Sequence, residues 1–96
     1  MADFLLLMHN DVERQTTNWD SYLAALRKGG NLQGGSAIGG GVCLRKSGNA
    51  APMTQSVGGY IHIEADDLDH AKRLVAGNPV FEAGGTVEIR ELPRTD

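Results

Sequence analysis

Five apolar residues in a row, Phe4-Leu5-Leu6-Leu7-Met8, constrain this chain more than any other feature. At strand period they occupy both faces of the pleat, so the strand they form belongs inside a sheet with cover on each side. Read as a strand from Phe4 to His9 and ended by Asn10-Asp11, the segment needs one layer above it and another below. The 96 residues suffice for one domain spanning 1–96 and leave no room for a second. A domain this small has a thin core, and a partner subunit is one of the usual supports.

The remaining elements follow from periodicity. Trp19, Tyr22, Leu23 and Leu26 fall at i, i+3, i+4 and i+7, which predicts a helix from Trp19 to Lys28 with one apolar stripe. Arg27 and Lys28 suit the negative end of its dipole, and Gly29-Gly30 stops it. A second strand is expected from Ile38 to Arg45, with Ile38, Val42 and Leu44 on one face and Gly39, Gly41 and Cys43 on the other. The segment from Lys46 to Val57 has no period and reads as a loop. Tyr60 to Ala65 alternates as a third strand. Asp66 is the expected cap of a second helix, with Asp69 as a weaker capping-box acid and Leu68, Ala71, Leu74 and Val75 as its buried stripe. Asn78-Pro79 must end that helix, because the residue before proline avoids the α region. A last strand runs from Thr86 to Leu92, followed by a short tail.

Thirteen glycines, many of them in the clusters Gly29-Gly30, Gly34-Gly35, Gly39-Gly40-Gly41, Gly58-Gly59 and Gly84-Gly85, punctuate these elements near their expected boundaries. The order β-α-β-β-α-β is the ferredoxin-like arrangement of the α+β class. Right-handed crossovers place both helices on one face of a four-stranded antiparallel sheet and leave the other face bare. The second apolar face of the first strand would lie there, and a homodimer packed sheet to sheet is its simplest cover.

Composition excludes several functions. Nine basic residues against twelve acidic ones give a net charge of −3, and Arg27-Lys28, Arg45-Lys46 and Lys72-Arg73 are isolated doublets rather than a stripe. Nucleic acid is not an expected partner. The opening apolar run is too short to span a bilayer and lacks the basic flank of a signal peptide, so no membrane partner is expected. Cys43 is the only cysteine, which rules out a disulfide within the monomer and favours a reducing, cytoplasmic location.

The stretch Gly58-Gly59-Tyr60-Ile61-His62-Ile63-Glu64-Ala65-Asp66-Asp67-Leu68-Asp69-His70-Ala71 resembles the YCII-related family, also called the DGPF domain family. Asn78-Pro79 and Gly84-Gly85-Thr86-Val87-Glu88-Ile89-Arg90 continue the resemblance. Phe4 to His9 and the segment from Trp19 to Gly35 fit more loosely. The resemblance implies a dimeric α/β-barrel built from two ferredoxin-like subunits. The motif that names the family is absent: Ser47-Gly48-Asn49-Ala50 stands where Asp-Gly-Pro-Phe is expected. The histidine and aspartate proposed as catalytic in the shorter branch of the family align with Trp19 and Asn78. Tryptophan accepts no proton and an amide carries no charge, so that pair does not carry over.

The candidate site residues each have a plainer reading. His62 and Glu64 share one strand face, as Glu88 and Arg90 do. They either line a polar pocket between subunits with His62 as base, or form a half-solvated face of cross-strand charge pairs. His9 ends the first strand, at a cavity mouth or on a backbone hydrogen bond. Trp19 and Tyr22, with Tyr60, either wall a pocket or anchor the helix on its sheet. His70 is expected to be solvated, and Cys43 to be buried and inert. No His-x-x-x-His or Cys-x-x-Cys spacing marks a metal, and the glycines lack phosphate-loop spacing, so neither metal nor nucleotide cofactor is expected.

Two functions fit these residues. One is a homodimer that binds a small molecule, or plays an accessory part, without catalysis. The other is a cofactor-free lyase, isomerase or oxygenase with His62 or His9 as base.

Overall fold

The computed structural model describes residues 1–13 and 18–94. Seven elements follow along the chain: β1 (Ala2–His9), α1 (Trp19–Lys28), β2 (Leu32–Ala37), β3 (Val57–Ala65), α2 (Leu68–Arg73), α3 (Pro79–Glu82) and β4 (Val87–Leu92). The strands form one antiparallel sheet in the order β2-β3-β1-β4, as the ferredoxin-like arrangement requires. Among the described residues no helix is long and apolar enough to cross a membrane.

The apolar run lies in the interior of the sheet, hydrogen-bonded on both sides. Phe4, Leu6 and Met8 point to one face and are buried with Ile61, Ile63 and Ala65 of β3. Tyr22 and Leu26 of α1, Ala71 of α2, Val75 and Val80 complete this one cluster. Burying each of Phe4, Leu6 and Ile63 contributes roughly 1.5–3 kcal/mol, so this layer carries much of the stability. Leu5 and Leu7 point the other way, where no helix packs among the described residues, and remain half-exposed. Opposite them stand His62 and Arg90 for Leu5, and Tyr60 and Glu88 for Leu7.

Local chemistry explains the helix ends. Asn18 caps α1 by accepting the Asp20 amide at 2.7 Å. Its other end closes through Gly30, whose φ of +77° costs a glycine nothing. The Asn31 amide then reaches the Leu26 carbonyl at 2.9 Å and the Gly30 amide reaches Arg27 at 3.0 Å. The cap of α2 is Asp67, one residue later than expected: its carboxylate accepts the His70 amide at 2.8 Å. His70 answers by accepting the Asp66 amide on Nδ1 at 3.0 Å, so it is part of the cap and not simply solvated. Ala71 and Val75 are buried as expected, but Leu68 is 53% exposed.

The second strand differs most from expectation. It occupies Leu32–Ala37, whereas residues 38–56 form no helix or strand. Pairing with β3 decides this. A side chain at Gly35 would begin 2.8 Å from the Tyr60 carbonyl oxygen, so only glycine allows the two backbones to meet as they do. Gly34-Gly35 is thus the middle of a strand and not a boundary. Ile38, Val42 and Leu44, expected on one face of a strand, are 45%, 78% and 89% exposed, and Cys43, expected to be buried, is exposed with them. A third helix also appears where only a stop was expected: Pro79 ends nothing further but opens α3 at its first position, which suits its missing amide hydrogen.

Candidate functional site

A cleft of about 600 Å³ lies between α1 and the β2–β3 ribbon. Trp19, Leu23 and Arg27, one side of α1, form its wall, and Gly35, Gly59 and Ala37 contribute to its floor. Glycine makes the floor deep. A Cβ at Gly59 would lie 3.3 Å from the Ser36 carbonyl and 3.4 Å from the Met8 methyl. His9 and Asn10 close one end, with Val80 of α3 nearby. Asn10 also holds the chain entering β3: its amide donates to the Ser56 carbonyl at 2.7 Å and its Nδ2 to the Gln55 carbonyl at 3.1 Å.

The residues expected to form a pocket are divided between this cleft and the uncovered sheet face. Tyr60, which stands opposite Leu7 on the uncovered face, borders the cleft from β3, and Trp19 and His9 line it. Tyr22 does not; it is buried behind Trp19, ring edge to ring face at 6.1 Å. Its hydroxyl donates to the Leu74 carbonyl at 2.6 Å, and burial pushes its pKa up to about 12. A phenol so held stays protonated and offers no base.

His62, Glu64 and Arg90 lie on the uncovered face. His62 Nε2 meets Asp3 Oδ1 at 3.1 Å. Arg94 joins this pair to Glu64, donating through Nε to Asp3 at 2.6 Å and through Nη2 to Glu64 at 3.0 Å. A second cluster lies further along, where Glu88 accepts Arg90 at 3.0 Å and meets His9 Nε2 at 2.9 Å. His9 therefore touches both regions. Its ring meets a carboxylate of the uncovered face while its residue lines the end of the cleft. Arg94 follows the last expected strand, in a tail with no period to reveal it. Among the described residues no three histidine, cysteine or acidic side chains gather as metal ligands do.

The charge clusters set an expected acid response. Asp3 is held below the usual carboxylate range chiefly by Arg94 and then by His62, and Glu88 chiefly by His9 and then by Arg90. A carboxylate depressed in the folded state contributes stability above its unfolded pKa, about 4, and loses it as pH falls through the folded value. Thermal melts between pH 5 and pH 2 should therefore show a steep acid limb that Asp3→Asn makes shallower and that added salt flattens. Superimposable limbs for wild type and variant would remove this cluster from the stability of the fold.

The YCII-related domain model matches residues 4–95. The chain belongs to that family. No curated protein and no solved structure matches it. In this YCII-related chain Trp19 and Asn78, the two positions that the resemblance sets against a histidine and an aspartate, have separate places. Trp19 walls the cleft. Asn78 is fully buried beneath it, where its Oδ1 accepts the Val80 and Phe81 amides at 2.9 and 3.2 Å and so caps α3. Its Nδ2 makes no hydrogen bond of ordinary geometry.

Proposed function

We propose that this YCII-related chain is a homodimeric small-molecule-binding protein whose ligand lies in the cleft between α1 and the β2–β3 ribbon. The observation that carries this reading is a glycine-floored hollow of about 600 Å³, within the range of small-molecule sites, walled by Trp19, Leu23 and Arg27. The wall and floor suit a flat, mainly apolar body. Arg27 has no ion-pair partner among the described residues, and no Asp or Glu lines the cleft. An acidic group on the ligand would meet an unopposed guanidinium. The uncovered sheet face suits a second copy of the chain. It carries Leu5, Leu7, Tyr60 and Leu92 together with Asp3, Glu64 and Glu88 and the cations Arg90 and Arg94. A face with both signs of charge around apolar residues is self-complementary about a two-fold axis. The lone exposed Cys43 suits a reducing cytoplasm.

A second reading rests on His9. With Glu88 on its Nε2 and its position at the end of the cleft, it is the better placed of the two histidines to serve a cofactor-free lyase, isomerase or oxygenase as base. His62 lies on the opposite face of the sheet. In this reading His9→Gln abolishes turnover while binding persists.

Calorimetry with 2-naphthoate and its uncharged amide tests the binding reading. The acid should bind wild type, and Arg27→Gln should weaken it about tenfold while leaving the amide unchanged, the size of one lost charged hydrogen bond. Ala37→Phe should fill the hollow and abolish both without lowering the melting temperature. If neither compound, nor any of a panel of flat aromatic acids, raises the melting temperature at millimolar concentration, the cleft is not a ligand site.

A further inference from the structure

Residues 38–56 connect β2 to β3 as a projecting arm. A connection of this length without regular structure is uncommon in a compact domain and is usually functional or disordered. Glycine, serine and proline make up much of it and it has no aromatic residue, yet it also carries large apolar side chains. Ile38, Val42, Leu44 and Met53 lie in it, all exposed, and its only charges are Arg45 and Lys46.

The arm leaves the body from a fixed root. The Ile38 amide donates to the Gly58 carbonyl at 3.0 Å on one side, and Asn10 holds Gln55 and Ser56 on the other. Its tip is turned back by Gly48 at φ +77° and by Arg45 donating to the Asn49 carbonyl at 3.3 Å. The molecule is correspondingly broad and flat, 46 × 40 × 19 Å, with a radius of gyration of 14.9 Å against about 13 Å for a compact chain of this size. An arm anchored at its base, apolar along its length and without a surface of its own to cover has its contacts elsewhere.

Charge indicates where. The arm holds two cations and no acid, so the rest of the chain carries seven basic residues against all twelve acids. The uncovered sheet face of a second copy carries Asp3, Glu64 and Glu88 against Arg90 and Arg94, one acid in excess, so it suits a cationic arm. The reach suffices as well: about nine residues each way extend roughly 30 Å, against about 19 Å for the width of four strands.

We propose that the arm embraces a second copy of this chain, laying Val42 and Leu44 on the partner's uncovered sheet face with Arg45 and Lys46 beside its carboxylates. The exchange is reciprocal about a two-fold axis, so each subunit gives one arm and receives one. The inference rests on the homodimer proposed above and deepens it, since it assigns part of the interface to a segment outside the sheet.

Cys43, between Val42 and Leu44 and the only cysteine, reports on the arm directly. Its reaction with Ellman's reagent should slow at least tenfold as protein concentration rises through the dimerisation midpoint found by sedimentation. Val42→Asp with Leu44→Asp alters only exposed side chains, so the protomer should fold as before while the dimer weakens at least tenfold. Arg45→Glu with Lys46→Glu should weaken it too, and should reduce its dependence on salt. If wild type dimerises while Cys43 reactivity and the affinity of the aspartate variant stay unchanged, the arm proposal is overturned and the sheet-to-sheet dimer stands. If wild type remains a monomer up to several hundred micromolar, both fail together.

Discussion

Asn78→Ala should cost about 2–4 kcal/mol of stability and lower Tm by roughly 10–25 °C, among the largest effects of any single change outside the apolar core. The side chain is fully buried, and one oxygen satisfies two amides at the start of α3. Alanine removes the cap, leaves the Val80 amide without an acceptor in a place water does not reach, and opens a small void. Asn78→Asp keeps the acceptor and should lose less than alanine does. Because Val80 belongs both to the core and to the lining of the cleft, loosening α3 should weaken naphthoate binding as well. Urea melts decide the matter. An alanine variant within about 0.5 kcal/mol of wild type would show that the cap is dispensable, a result inconsistent with the usual cost of an unpaired buried amide.

Leu5→Glu combined with Leu7→Glu should raise the dissociation constant of the proposed dimer by at least a hundredfold. Both leucines are half-buried in the protomer and point to the side of the sheet that carries no helix among the described residues. In the protomer the exchange costs about 1–2 kcal/mol, since the carboxylate at 5 stands beside Arg90 and His62 whereas the one at 7 stands opposite Glu88. In a two-fold dimer it removes four leucines from one interface and places four carboxylates there. Each buried leucine is worth roughly 1.5–3 kcal/mol, so the combined loss exceeds the 2.7 kcal/mol or so that a hundredfold change requires. Sedimentation at matched concentrations checks it. A double variant as dimeric as wild type would exclude this face from the interface.

Much of the fold was legible in the sequence because its elements are written in period. The two-faced strand at Phe4 to His9, the stripe of Trp19, Tyr22, Leu23 and Leu26, and the alternation of β3 each had one reading. The failures share a cause. Leu32-Gln33-Gly34-Gly35-Ser36-Ala37 has no alternation, since its place in the sheet comes from backbone proximity that only missing side chains permit. Ile38 to Arg45 has the alternation and no strand, because its apolar residues find nothing to cover within the described chain. A strand there would bury Cys43, which the structure instead puts on the surface. At the second helix two adjacent aspartates precede Leu68, and sequence alone could not say which one turns inward to cap.

The cleft was legible only in part. Trp19 and His9 were singled out by residue type, but Arg27 read as a partner for the helix dipole and the four-residue charge cluster of Asp3, His62, Glu64 and Arg94 drew on three distant parts of the chain. Ionic contacts between such parts leave no spacing to recognise. Asn78 was noted where it departs from the family's aspartate, and its work as a cap emerges only once α3 is seen.

Bare main chain at Gly35 and Gly59 has an evolutionary corollary. A surface made of peptide groups offers nothing for point mutation to retune, since any larger residue at 35 strikes its neighbour before it reaches a guest molecule. Changes in the shape of the hollow are therefore left to positions that carry side chains, such as 19, 23, 27 and 37, while Gly35 and Gly59 keep it deep.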